Sequence, residues 1–176
     1  MSLWNLDESF VVKEKEKMKH SLFSKCMMIV IAGATIIGII CCAYVIPELA
    51  RTFKSNYPEM EHWVLPWMIL IYTCAVPCFV AMVISWKIAV NIGKDKSFTM
   101  ENSKLFKIYS ILALADSAVF LVTSIVFWLA GINHPGLLLI DFLIVFAGIA
   151  VFVCTSALSY LVAKAADLQE DSDLTI

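Results

Sequence analysis

Charge is the scarcest property of this 176-residue chain: Asp, Glu, Lys and Arg make up 16% of it, against about 25% in soluble domains. With 13 basic and 15 acidic residues the formal net charge is -2, so there is no basic face for direct nucleic-acid binding. No CxxC pair occurs, which excludes the membrane thiol oxidoreductases that need one. A phosphate-binding glycine loop, a Ser-His-Asp set and a zinc motif are absent as well. The reading is therefore non-enzymatic, with no catalytic residue, cofactor or metal assigned. What is abundant is apolar: 61% hydrophobic residues and a mean hydropathy of +0.85, which fits neither a water-soluble globule nor a disordered chain.

Four long stretches carry almost no charge: Lys25 to Glu48, His62 to Lys87, Lys107 to His134 broken only by Asp116, and Pro135 to Ala163 broken only by Asp141. Each meets the roughly 20 apolar residues that cross a hydrocarbon core, and in lipid the backbone must satisfy itself within helices. The expected fold is all-α, an integral membrane four-helix bundle in one domain, with spans at about 24–46, 63–88, 106–130 and 137–163. The first apolar core is too long for a cleaved signal peptide and no small-x-small site follows it, so that span is expected to be retained.

Lysine and arginine orient the bundle. Lys13, Lys15, Lys17, Lys19 and Lys25 precede the first span, Lys87, Lys94, Lys96, Lys104 and Lys107 flank the connection between the second and third, and Lys164 follows the fourth. Only Arg51 and Lys54 lie on the other side. The positive-inside rule then places both termini in the cytoplasm, with a cytoplasmic N-segment 1–23, loop 89–105 and tail 164–176. Tyr57, Trp63 and Trp67 suit the outer interface and Trp86 the inner one.

An aspartate at a span centre costs about 2.5–3.5 kcal/mol on insertion scales, which the Leu, Ile, Val and Phe of span 3 outweigh. Asp116 is thus expected to face protein or water rather than lipid. Tyr109, Asp116 and Thr123 recur every seven residues, as do Ser110, Ser117 and Ser124, and span 4 repeats the pattern with Asp141, Gly148 and Thr155. This polar, small-residue stripe reads either as a tightly packed interface or as a proton or ion path. Asp116 lies roughly 20 Å from the outer end of its span at 1.5 Å per residue, whereas Asp141 lies near the outer surface. Separate roles are expected, with Asp141 meeting Arg51 or the His134 turn.

Cys26, Cys41, Cys42, Cys74, Cys78 and Cys154 all lie in or beside spans. Cys74 and Cys78 share a face across Pro77, which suits either a soft metal or small apolar filling. His62 and His134 fall outside near Glu59 and Glu61, too few for a metal assignment.

On the cytoplasmic side Gly93 is read as the stop of helix 2, Thr99 as the N-cap of helix 3 and Glu101 as an acid in its first turn. Leu158, Leu161, Ala165 and Leu168 keep a 3-4 spacing, so the last helix is expected to run past the membrane. The tail then turns acidic with Asp167, Glu170, Asp171 and Asp173, an unsuitable surface for an anionic leaflet, and ends in Leu174-Thr175-Ile176.

The run Ser97-Phe98-Thr99-Met100-Glu101-Asn102 after Gly93, together with the terminal Asp173-Leu174-Thr175-Ile176, resembles the bacterial membrane proteins grouped as domain-of-unknown-function family 2975. The resemblance covers most of the chain and all four spans, and departs at Asp171-Ser172, where Glu-Asn is the family's pattern. It implies a Gram-positive cell membrane and a gene often placed beside a small helix-turn-helix regulator. On that footing the expected function is a regulatory or sensory protein of the bacterial inner membrane that binds a cytoplasmic helix-turn-helix transcription regulator. Phe98, Thr99, Glu101, Asn102, Leu168, Glu170, Asp173, Leu174 and Ile176 would form the docking surface. The alternative is a small transporter or channel subunit with Asp116 as proton or cation site, which in a four-span chain requires a homo-oligomer.

Overall fold

The computed structural model describes the backbone of residues 3–133 and 135–174, with side chains from 18 and from 21–133 and 135–172. It is all-α, and no strand occurs among the described residues. Helix α1 (Leu3–Ile40) passes through a π-helical turn (Cys41–Val45) into α2 (Ile46–Asn56), so the first membrane crossing and its extension form one rod. A 3-10 turn (Pro58–Met60) leads into α3 (Glu61–Gly93), followed by α4 (Met100–Leu129) and α5 (Pro135–Leu174). Among the described residues four helical segments are long and apolar enough to cross a membrane: Ser21–Asn56, Pro58–Gly93, Met100–Leu129 and Pro135–Ser172.

The π-helical turn follows from one residue. Pro47 has no N–H and its ring collides with the carbonyl four residues earlier. The ladder shifts, and Ile46 N–H bonds Cys41 O, five residues back. The next bond in that register would come from Pro47 itself, so the Cys42 carbonyl has no donor in its own helix. The Tyr72 hydroxyl of α3 supplies one at 2.8 Å, which meets the demand that backbone groups inside a membrane be satisfied.

Neighbouring helices meet through small residues. Ser24 of α1 donates to Ala89 O of α3 at 2.6 Å, and a Cβ on Gly93 would stand 2.6 Å from Ser24 Oγ. Gly93 is the last residue of α3, where the sequence placed the stop, and it is a close-approach residue as well. A Schellman turn caps the helix: Lys96 N–H bonds Asn91 O and Asp95 N–H bonds Ile92 O, with Asp95 at φ 61° where glycine is the usual occupant. Helix α4 ends in the same motif, with Ile132 N–H on Phe127 O and Gly131 at φ 72°.

The antiparallel α4–α5 pair is the most extensive interface. Ser103 and Ser159 donate to each other's carbonyls at 2.8 Å. Ser103, Ser110, Ser117 and Ser124 are all buried along this seam. Ser110 and Ser117 bond carbonyls of their own helix, so their short side chains demand nothing from α5 and let it approach. Gly148 of α5 sits so close to Ser117 that a Cβ would collide with its hydroxyl. The serine stripe is thus a packing seam.

Contacts run α1 to α3, α3 to α4 and α4 to α5, whereas α1 and α5 make no comparable contact among the described residues. The bundle is an arc closed along three seams and open along the fourth. Its outward residues are apolar, with Leu139 at 75% and Phe146 at 71% exposure, a surface matched to lipid rather than water.

Candidate functional site

The helices of the arc border an open-sided cavity of about 570 Å³ half-way along their length, lined by all four spanning helices. Two helix irregularities meet there. Cys41 and Cys42 of the π-helical turn form one wall and the Pro77 region of α3, with Cys74 and Cys78, another. Asp116 of α4 and Gly148 of α5 complete it. Pro77 removes a ladder bond from α3, while at Gly38 and Gly148 the place of a side chain is taken by Phe79 and Ser117 packed against the glycine.

Asp116 is the cavity's one carboxylate. Cys78 Sγ stands 3.9 Å from its Oδ2, the reach of a weak thiol donor. No Lys, Arg or His lines the cavity, and neither ion pair formed by described residues involves Asp116. The carboxylate therefore faces an apolar space without a protein cation, the setting in which a charge depends most on what enters. No three His, Cys, Asp or Glu side chains converge as metal ligands among the described residues. All six cysteines are free thiols.

A second cavity of about 490 Å³ lies toward the α3–α4 loop, with Phe23, Ser85 and Cys154 among its walls. Tyr109 and Val151 line both cavities and form the partition between them.

Of the intramembrane residues singled out in the sequence, Tyr109 and Asp116 share the central cavity. Thr123 does not join them, and its hydroxyl returns to Val119 O at 2.9 Å. Asp141 lies apart: it is buried at 5% exposure and its Oδ2 accepts from Asn133 Nδ2 at 2.6 Å. Of its two expected partners the α4–α5 turn supplies the actual one through Asn133, while Arg51 pairs with Glu48 at 3.4 Å, both side chains exposed. His134 lies outside the described residues.

The residues expected to meet a partner separate into two kinds. Thr99 accepts from Asn102 N–H at 3.3 Å as an N-cap. Asn102 is fully buried; its Nδ2 donates to Lys96 O and Ser97 O, and its Oδ1 accepts from Asn91 Nδ2 at 2.8 Å. These two build the loop. Phe98 and Glu101 are exposed, as are Leu168 and Glu170 on α5, which continues as a helix to Leu174. Ile176 lies outside the described residues, as do the side chains of Asp173 and Leu174.

Several working residues carried faint signals. Ser103 extends the seven-residue serine series by one step, Asn133 ends a loop opposite a buried acid, and Pro47 announces an orphaned carbonyl without naming Tyr72 as its donor.

Residues 48–176 match the family described as protein of unknown function (DUF2975). The chain belongs to that family. The match takes in α2 from its third residue and every helix after it, so the Asn102 loop, the acidic tail and the Asp116 cavity fall within the family region, apart from the cavity walls supplied by α1 and the π-helical turn. The chain is also similar to the uncharacterized membrane protein YoaS of Bacillus subtilis (strain 168), at 26% identity over 158 residues, covering 89% of this chain and 97% of that protein. No solved structure matches it. Family and fold together make this a membrane protein with four spanning helices.

Proposed function

We propose that this DUF2975 member is a non-enzymatic regulatory or sensory protein of the bacterial inner membrane, with both termini in the cytoplasm. Its exposed loop and tail dock a soluble partner, a small helix-turn-helix regulator by the resemblance of the sequence. The observation that carries the reading is the continuity of α5: one helix, Pro135–Leu174, lines the Asp116 cavity through Ile144, Gly148 and Val151 and extends past the bundle. Ser159 ties it to Ser103 of α4, Val162 is its last buried residue among the described ones, and Leu168 lies about 9 Å beyond Val162 at 1.5 Å per residue. A change of packing at the cavity is thereby carried mechanically to the tail, and a switch needs such a two-state element biased by its stimulus.

The test is purification from native membrane in mild detergent, full-length and truncated after Ala166. A helix-turn-helix protein, identified by mass, that co-elutes only with the full chain supports the reading. A chain that elutes alone in both forms counts against it.

The placement of Asp116 in a cavity without a protein cation favours a second reading, a transporter or channel subunit acting as a homo-oligomer. It predicts that proteoliposomes carry a proton or cation flux that Asp116→Asn abolishes. Absence of any flux above empty vesicles removes that reading.

A further inference from the structure

We propose that the central cavity is a binding site for a lipophilic monocation, a single positive charge such as a protonated amine carried on an apolar body. Three observations converge on this class. Size comes first: about 570 Å³ lies within the roughly 300–1,000 Å³ of small-molecule sites, far more than a proton relay or a bare ion needs. Chemistry comes second. The cavity wall is almost wholly apolar, and its titratable groups are Cys41 and Cys42 from the π-helical turn, Cys74 and Cys78 from α3, and Tyr109 and Asp116 from α4, with none from α1 or α5. A single carboxylate with no facing cation balances one positive charge, repels an anion, and offers a divalent ion no second acid. Access comes third. The arc is unsealed between α1 and α5, both of which line the cavity, so an amphiphile dissolved in the bilayer reaches Asp116 sideways without crossing a polar vestibule.

In the bound state the cation sits against the Asp116 carboxylate while its apolar body covers the wall around Phe79 and Phe120. The neighbouring aromatic faces add attraction for a positive charge. The site extends the proposed sensing role by naming its ligand class, and binding is measured separately from partner capture, so either can fail alone.

The experiment is equilibrium dialysis of radiolabelled tetraphenylphosphonium against full-length protein in mild detergent, with uncharged tetraphenylsilane as competitor. Saturable binding of one cation per chain is expected, weakened roughly tenfold or more in Asp116→Asn, the loss of one close charge pair at low dielectric. Asp116→Glu keeps the charge and retains most of the affinity, while Ala34→Trp fills the space and abolishes binding with the carboxylate intact. Protons compete for the same oxygen, so the wild-type affinity falls as pH is lowered and that of Asp116→Asn does not. Circular dichroism and elution volume establish that each variant is folded. The proposal is overturned by non-saturable binding to wild type, by equal affinity in folded Asp116→Asn, or by displacement with the neutral compound at matching concentration.

Discussion

At the scale of single residues, two aspartates in membrane helices do opposite things, and substitution separates them. Asp141 holds the α4–α5 turn through Asn133. Asn133→Ala withdraws that donor from a buried acid and is expected to cost about 1–3 kcal/mol, read as a lower melting temperature in detergent. Asp116→Asn removes a charge that no protein cation balances, so the melting temperature should stay level or rise. A large destabilisation by Asp116→Asn would mean that the acid is structural after all. Asp95 offers a gain: it holds a left-handed conformation in a Schellman turn, and Asp95→Gly is expected to raise stability by up to about 1 kcal/mol. The sequence made Asp116 legible because an acid in an apolar run has few explanations. It left Asp141 open between two partners because spacing along a helix does not tell which loop folds over it. Asn102 was legible as a loop residue but not as a buried one, since burial comes from the closure of the whole Asn91–Ser97 turn around it.

At the scale of elements, helices meet where side chains are small, and two pairs of substitutions test how. Gly148→Ala drives a Cβ into Ser117, and overpacking of this kind costs about 1–3 kcal/mol. Ser117→Ala removes the hydroxyl and should restore most of that loss, so a double-mutant cycle yields a favourable coupling. No coupling would mean that α5 shifts freely on α4. The π-helical turn makes a parallel case. Tyr72→Phe leaves the Cys42 carbonyl without its donor and is expected to lower the melting temperature, whereas in a Pro47→Ala background the regular ladder supplies that carbonyl and Tyr72→Phe becomes nearly neutral. Helix number and the serine seam were readable from hydropathy and seven-residue spacing. The π-helical turn and the central cavity were not, because they depend on which helices become neighbours, information that periodicity does not carry.

At the scale of the whole molecule, a bundle open along one seam shares a single helix, α5, with the tail. The proposed orientation, with both termini inside by the asymmetry of lysine and arginine, predicts that green fluorescent protein fused after Ile176 fluoresces and that alkaline phosphatase fused after Asn56 is active. The reverse pattern would invert the orientation and move the tail away from any cytoplasmic regulator. The proposed regulatory role requires that cavity and tail move as one body through α5. The most direct measurement is the distance between spin labels at Phe98→Cys and Leu168→Cys, in a background with the native cysteines replaced, with the cavity as it is and filled by Ala34→Trp. A shifted distance distribution in the filled protein, with the bundle still folded, is the expected result. Superimposable distributions would contradict it, leaving the cavity and the tail as unconnected features of the same chain.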